Sequence, residues 1–316
     1  MEIINKISNW VWGASLIILL LGTGIYLTVK LGFIQLKGIL HSIELTSGKY
    51  SKKEDKGILT YFQSMSTALS ATIGTGNIAG VATAIYFGGP GALFWMWVTA
   101  IIGMAIKFTS ATLSVLYRDE RGKEVKGGPM YYIEYGFKER YNINMKPLAI
   151  FFALSTAIAA FGIGNMVQAN SVGDVLSNFF KNKDTIFLVK LFSGVIIAVL
   201  TGLVIIGGIK RIGEVASFLV PFMSVLYFTA GVLIIIFNLD KIGSAFFTIF
   251  KSAFTGEAAK GGFFGMLVLY TIRMGVARGI FSNESGLGTE ALVYSVSKTC
   301  LLYTSDAADE LDGVDL

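Results

Sequence analysis

The residues Gly74-Thr75-Gly76-Asn77 lie inside a stretch, Gly57 to Ile106, that carries no charged side chain. Glycine loosens a helix, and threonine and asparagine offer oxygens and amides where an apolar span would otherwise continue. A turn unwound there aims backbone amides into its surroundings. A half-helix that begins at the turn presents the positive end of its dipole, which suits a carboxylate. The carbonyls just before it and the side-chain oxygens of Thr72 and Asn77 are hard ligands of the kind sodium takes. A dinucleotide fingerprint does not fit. The spacing is Gly-x-Gly-x-x-x-Gly, no strand precedes it, and it sits in an apolar run. Small residues at this spacing equally serve close helix packing. Residue types alone leave binding and packing both open.

Gly162-Ile163-Gly164-Asn165-Met166-Val167-Gln168 is a second polar cluster. On a regular helix Asn165, Gln168 and Ala169 share a face, so their amides serve either a solute or a neighbouring helix. A third cluster, Arg273 to Gly288, mixes charge and glycine at membrane depth and reads as another broken helix. Gly279, Asn283 and Glu284 belong to it. Lys107 sits deep in an apolar run, where it either snorkels or pairs internally. The spans before Arg273 hold no Asp or Glu in their middles. That disfavours a carboxylate proton relay and favours a cation held by neutral oxygens. His41 is the sole histidine and Cys300 the sole cysteine of the chain. No Cys/His metal spacing, histidine triad or intrachain disulfide is available, so no transition metal is expected.

These clusters need spans to hold them. The chain is 53% hydrophobic and 15% charged, well below the charge of an ordinary soluble domain. An all-α polytopic membrane protein of about seven spans is the expected class. The spans read as Trp10–Val29, Leu59–Phe87, Ala92–Tyr117, Leu148–Val172, Thr185–Gly207 and Val215–Phe237, with a seventh beginning near Gly262. Pro221 is placed near the start of the sixth. Asp240 to Lys260 alternates phenylalanines with lysines and reads as an interfacial amphipathic helix. The N-terminus lacks a cleavage-site pattern and reads as a retained helix. Basic residues gather in alternate loops, notably Lys30–Lys56 and Arg118–Lys146. The positive-inside rule puts these loops in the cytoplasm and the N-terminus outside, in a multi-pass protein of the cytoplasmic membrane. The net charge of +5 is explained by that placement, and no nucleic-acid partner is expected.

From Thr299 to Leu316 the character changes. The segment holds five acids and no base. Its run CLLYTSDAADE reads like a translated sequencing adapter, so residues 299–316 are expected to be a non-native acidic tail on a transmembrane region of residues 1–298.

Four stretches together resemble the alanine or glycine:cation symporter family, the sodium:alanine symporters. They are TALSATIGTGNIAGV (Thr67–Val81), GGPGALFWMW (Gly88–Trp97), GGPMYYI (Gly127–Ile133) and FSNESGLG (Phe281–Gly288). The resemblance implies a LeuT-like inverted-repeat fold of the amino-acid/polyamine/organocation type, with the first repeat and the start of the second present. It implies a secondary transporter rather than an enzyme, with no cofactor and Na+ as the coupling ion. The solute would be alanine or glycine, carried by alternating access, and a monomer is expected. By looser analogy the amides of Gly74, Thr75 and Gly76 would hold the substrate carboxylate, with Gln168, Asn165 and Gly279 as further contacts. Thr72, Ile73 and Asn77 would lie near sodium, and Lys107, Asn283 and Glu284 would gate or couple. A channel or amino-acid sensor built on the same pocket is the competing class. Two departures stand out. Relatives carry an acid at the position of Ser110, and the resemblance stops near Lys298. With about four spans lacking, the chain alone is not expected to transport.

Overall fold

The computed structural model describes residues 13–50, 55–122, 124–255 and 264–298. The expected tail 299–316 and the start of the first span lie outside the described residues. Those described are almost wholly helical. Four helices are long and apolar enough to cross a membrane: Gly91–Leu116, Lys146–Ser177, Lys183–Ile205 and Gly208–Ile236. The pair Tyr61–Thr72 and Gly76–Gly88, bent by 47°, makes a fifth if counted as one span. Ala14–Lys30 is a shorter apolar helix of 17 residues. Phe264–Asn283 has 20 residues but carries Arg273 and Arg278. Large side chains such as Ile158, Phe187, Phe218 and Ile234 are exposed along the long helices. An apolar surface of this extent calls for lipid or another protein surface.

By its contacts the chain divides into two compact units. The first comprises Met1–His41, Thr72–Ser110 and Phe222–Gly288; the second comprises Ser42–Ala71, Ala111–Pro221 and Thr289–Leu316. In the first, Phe264–Asn283 lies against Val81–Gly88 and Ala14–Lys30. Glycines set these approaches. A Cβ on Gly275 would stand 2.5 Å from the Ala92 carbonyl oxygen and 2.6 Å from the Trp95 Cβ. The Thr271 hydroxyl donates to the Gly88 carbonyl at 2.9 Å, satisfying the end of the short helix.

Leu239–Thr255 also belongs to this unit. Its phenylalanines do not only face outward as an interfacial helix would. Phe250 and Phe254 pack on Phe94, with ring centroids 5.4 and 5.2 Å away. The Trp95 indole N–H donates to the Ala253 carbonyl at 3.2 Å. Phe247 remains exposed.

In the second unit Val167–Ser177 packs against Lys183–Ile205. Asn182 caps the latter by accepting from the Asp184 amide at 3.0 Å. The Lys190 ammonium meets the Asp174 carboxylate at 2.5 Å.

Three sequence expectations need correction. The sixth long helix begins at Gly208 rather than Val215, after a turn in which Gly208 adopts φ +67. Pro221 therefore falls inside the helix rather than near its start. Lys146–Ser177 is not uniformly α-helical, because Ala160–Met166 widens into a π-helix. Asn165 sits in that widened turn, so a simple i,i+3 face does not describe it. Finally, the expected break over Arg273–Gly288 is narrower. The helix runs unbroken to Asn283, and the chain turns only at Glu284, Gly286 and Gly288, with φ of 53, 86 and 74.

Replacing Gly275 with Ala should destabilise the protein by about 1–3 kcal/mol, because neither the Ala92 carbonyl nor the Trp95 Cβ can easily yield. A thermal melt in detergent would show this as a lowered midpoint. Gly194→Ala, which meets nothing within 4 Å, should leave it unchanged or raised.

Candidate functional site

The span that begins at Tyr61 stops being an α-helix at Thr72 and resumes as a π-helical turn, Gly76–Gly80, before Val81–Gly88. Ile73, Gly74 and Thr75 form the gap. Loss of regular i→i−4 bonding there leaves backbone groups needing partners, and Asn77 supplies or receives several of them. Its backbone N–H donates to the Gly74 carbonyl at 3.1 Å. Its side-chain Nδ2 donates to the Thr72 carbonyl at 2.8 Å. Its Oδ1 accepts from the Ser282 hydroxyl. Its own carbonyl accepts from the Tyr227 hydroxyl at 3.3 Å. One asparagine, through its side chain and its backbone, thus ties the gap to itself and to two other helices of the same unit.

Gly76 makes the closeness possible. A Cβ there would lie 3.1 Å from the Ser282 Cα and 3.4 Å from a Phe281 ring carbon. The end of Phe264–Asn283 therefore rests directly on the π-helical turn, and Gly76 is buried. The Lys107 ammonium reaches Thr72 from Gly91–Leu116 and donates to its Oγ1 at 3.2 Å. Of the two sequence readings for Lys107, internal partnership is the one observed. Both oxygens of Thr72 are thereby engaged, the hydroxyl by Lys107 and the carbonyl by Asn77. The side-chain oxygens that meet at the gap are Asn77 Oδ1 and Ser282 Oγ.

The remaining named residues distribute unevenly. Glu284 follows the helix end in a left-handed conformation, and Asn283 is the last helical residue. Gly279 lies within the unbroken helix, where a Cβ would stand 3.0 Å from the Thr99 Cβ. Its position serves helix packing. Asn165 and Gln168 belong to the second unit. Asn165 is exposed and Gln168 half-buried. Ser110, where an acid was expected, is buried.

A cavity of about 420 Å³ opens beside the gap. It is lined by Ile73 and Asn77 on one side and by Ser224, Val225, Tyr227, Phe228 and Thr229 on the other. Its wall combines apolar Val225 and Phe228 with a polar corner at Asn77 and Tyr227. That is the composition of a small-molecule site with few orienting groups. Among the described residues no group of three metal-ligating side chains occurs.

Sequence reasoning named Asn77 but missed Ser282 and Tyr227. Ser282 stands one residue before Asn283 in the motif already singled out, and only the fold shows that it is the one facing Asn77. Tyr227 sits in the apolar stretch of Gly208–Ile236, where no periodicity distinguishes it.

The model of the sodium:alanine symporter family matches residues 1–302, more of the chain than the motifs alone cover. The chain is 47% identical over 301 residues to the sodium/alanine symporter AgcS of Methanococcus maripaludis, an alignment covering 94% of this chain and 63% of that protein. It is 37% identical to a putative sodium/proton-dependent alanine carrier, YrbD, of Bacillus subtilis, over 91% of this chain and 56% of that one. A probable sodium/glutamine symporter, GlnT, of the same organism is 35% identical, over 91% and 57%. The chain thus spans less than two thirds of the curated relatives it matches. With the family model covering nearly its whole length, the chain belongs to the sodium:alanine symporter family.

Proposed function

We propose that the protein carries a small neutral amino acid, alanine or glycine, inward across the cytoplasmic membrane together with sodium. The observation that carries this reading is the convergence of Asn77 Oδ1 and Ser282 Oγ at the gap in a membrane-length helix. Two neutral oxygens that share one proton can instead share one sodium ion, the serine hydroxyl rotating its hydrogen away. The Ile73 carbonyl, at the frayed helix end, is the natural third ligand. Hard oxygen donors without a carboxylate suit a monovalent cation that the substrate's own carboxylate helps to neutralise.

The substrate carboxylate is assigned to the amides of Gly74 and Thr75, at the start of the resumed helix, where the dipole favours negative charge. Gly76, buried under Ser282, shapes that turn more than it lines it. Lys107 supplies a fixed positive charge next to Thr72, which orients the leading helix end and discourages a second cation there. A sodium gradient and the membrane potential, about 2.3 kcal/mol per charge per 100 mV, drive uptake. The fold is read as LeuT-like, with alternating access by rocking of the broken helices, in a monomer with its N-terminus outside.

Two measurements test the reading, both on the longest product of the gene. In proteoliposomes, alanine uptake should rise at least tenfold, or about 1.4 kcal/mol, when an inward sodium gradient replaces an equal potassium gradient. Equal uptake in both would remove sodium coupling. Flux that fails to saturate with alanine would favour a channel. Replacing Asn77 with Ala should raise the sodium concentration for half-maximal uptake about tenfold or more, as expected when an ion loses a ligand worth over 1.4 kcal/mol. An unchanged sodium dependence would take Asn77 out of the ion site.

A further inference from the structure

The second unit contains a buried cluster that the transport site does not use. Arg118 follows Gly91–Leu116, and its side chain is fully buried. Its Nη1 donates to the Ser297 carbonyl at 3.0 Å and its Nη2 to the Lys56 carbonyl at 3.3 Å. Lys56 lies just before the broken span that starts at Tyr61, and Ser297 lies just after the short helix Thr289–Ser295. The guanidinium therefore holds the entry of the broken span to the chain that leaves Thr289–Ser295.

Backbone bonds reinforce this join. The amides of Ile58 and Leu59 donate to the Val296 carbonyl at 2.8 and 3.1 Å, and the Lys298 amide donates to the Leu59 carbonyl at 2.7 Å. The approach requires glycine. Gly57 has φ +145, and a Cβ on it would stand 2.4 Å from the Ser297 carbonyl oxygen. Gly127 likewise lets Arg118 and Ser295 close on the loop.

Glu120 completes the cluster. Its carboxylate takes the Arg118 guanidinium at 2.7 Å and the Lys56 ammonium at 2.9 Å. Partial burial pushes its carboxyl upward, but the bonds from Lys56 and Arg118 outweigh that and hold it below the ordinary glutamate value. Just beyond the join, Ser64 and Ser66 point buried hydroxyls that have no partner among the described residues. Such hydroxyls cost free energy in a dry, shut conformation and recover it where water reaches them.

We propose that Arg118, Glu120 and Lys56 form a latch that holds shut the path to the Lys56 side of the membrane. Opening it separates the entry of the broken span from the chain that leaves Thr289–Ser295 and hydrates the Ser64–Ser66 face. Arg118 is a positioning residue, since it touches neither ion nor solute. Its fork bonds two carbonyls at once, which lysine cannot reproduce. The three charges come from two loops, Lys30–Lys56 and Arg118–Lys146, that the positive-inside pattern puts on one side. The latch rests on the alternating-access reading for its purpose, not for its geometry.

The test uses the longest gene product in proteoliposomes, with its own cysteines replaced by serine and Ser64→Cys as reporter. Labelling by a membrane-impermeant thiol reagent is timed from each side. Glu120→Gln and Lys56→Gln should each raise the labelling rate from the Lys56 side, Glu120→Gln by about tenfold, as a population shift of that size requires. Arg118→Ala should raise it further, and Arg118→Lys should fall between. Labelling from the opposite side should not rise. Unchanged labelling in Glu120→Gln and Lys56→Gln would overturn the latch, and so would an equal rise from both sides, which reports loosening. Sodium with alanine should alter labelling when the latch is intact. If they do not, while the variants still raise it on one side, alternating access fails and the latch stands.

Discussion

A backbone inside a bilayer cannot leave its polar groups unpaired, because each one facing hydrocarbon costs several kcal/mol. The gap at Ile73–Thr75 breaks that rule locally, and Asn77 restores it. Its amide takes the Thr72 carbonyl and its backbone takes the Gly74 carbonyl. The same side chain then binds Ser282, so the repair of one helix is the attachment of another. Gly76 exists as glycine for this reason, since a Cβ would press on the Ser282 backbone. Packing and binding were rival readings of the glycine-rich turn. In the structure the packing is observed, and the same close approach brings the Asn77 and Ser282 oxygens together.

Charge is distributed to match. Near the gap the fixed charges are cationic, with Lys107 on Thr72, apart from Glu284 beyond the helix end. Asp119 and Glu120, in the loop after Gly91–Leu116, are partnered carboxylates. Asp119 is lowered to about 2, chiefly by the side-chain hydrogen bond from Arg121, and Glu120 sits in the Arg118 cluster. A site poor in carboxylate leaves the solute's own carboxylate to balance an incoming cation. A loop rich in partnered charge can instead hold two chain segments together and release them.

Composition and motif made much of this legible before any coordinates. The apolar runs gave the long helices, and the uncharged GTGN turn gave the break, because glycine and asparagine in a membrane span have few other uses. The family motifs led to the same region. What could not be read was set by tertiary partners. Gly275 and Gly279 looked like a break, yet they are glycines because Ala92, Trp95 and Thr99 press against them. The π-helical widening at Ala160–Met166 has no periodic signature that separates it from an α-helix. Tyr227 and Arg118 matter through residues 150 and 179 positions away, a separation that local pattern cannot span.

The central claim is that a cation binds where Asn77 meets Ser282. Thallium, a scattering substitute for a monovalent alkali ion, offers the most direct test. Crystals of the longest gene product grown with alanine and thallium in place of sodium should show an anomalous peak within coordinating distance of Asn77 Oδ1 and Ser282 Oγ. That peak should fade as sodium is added back. A sodium-displaceable peak elsewhere, with none at Asn77, would contradict the account.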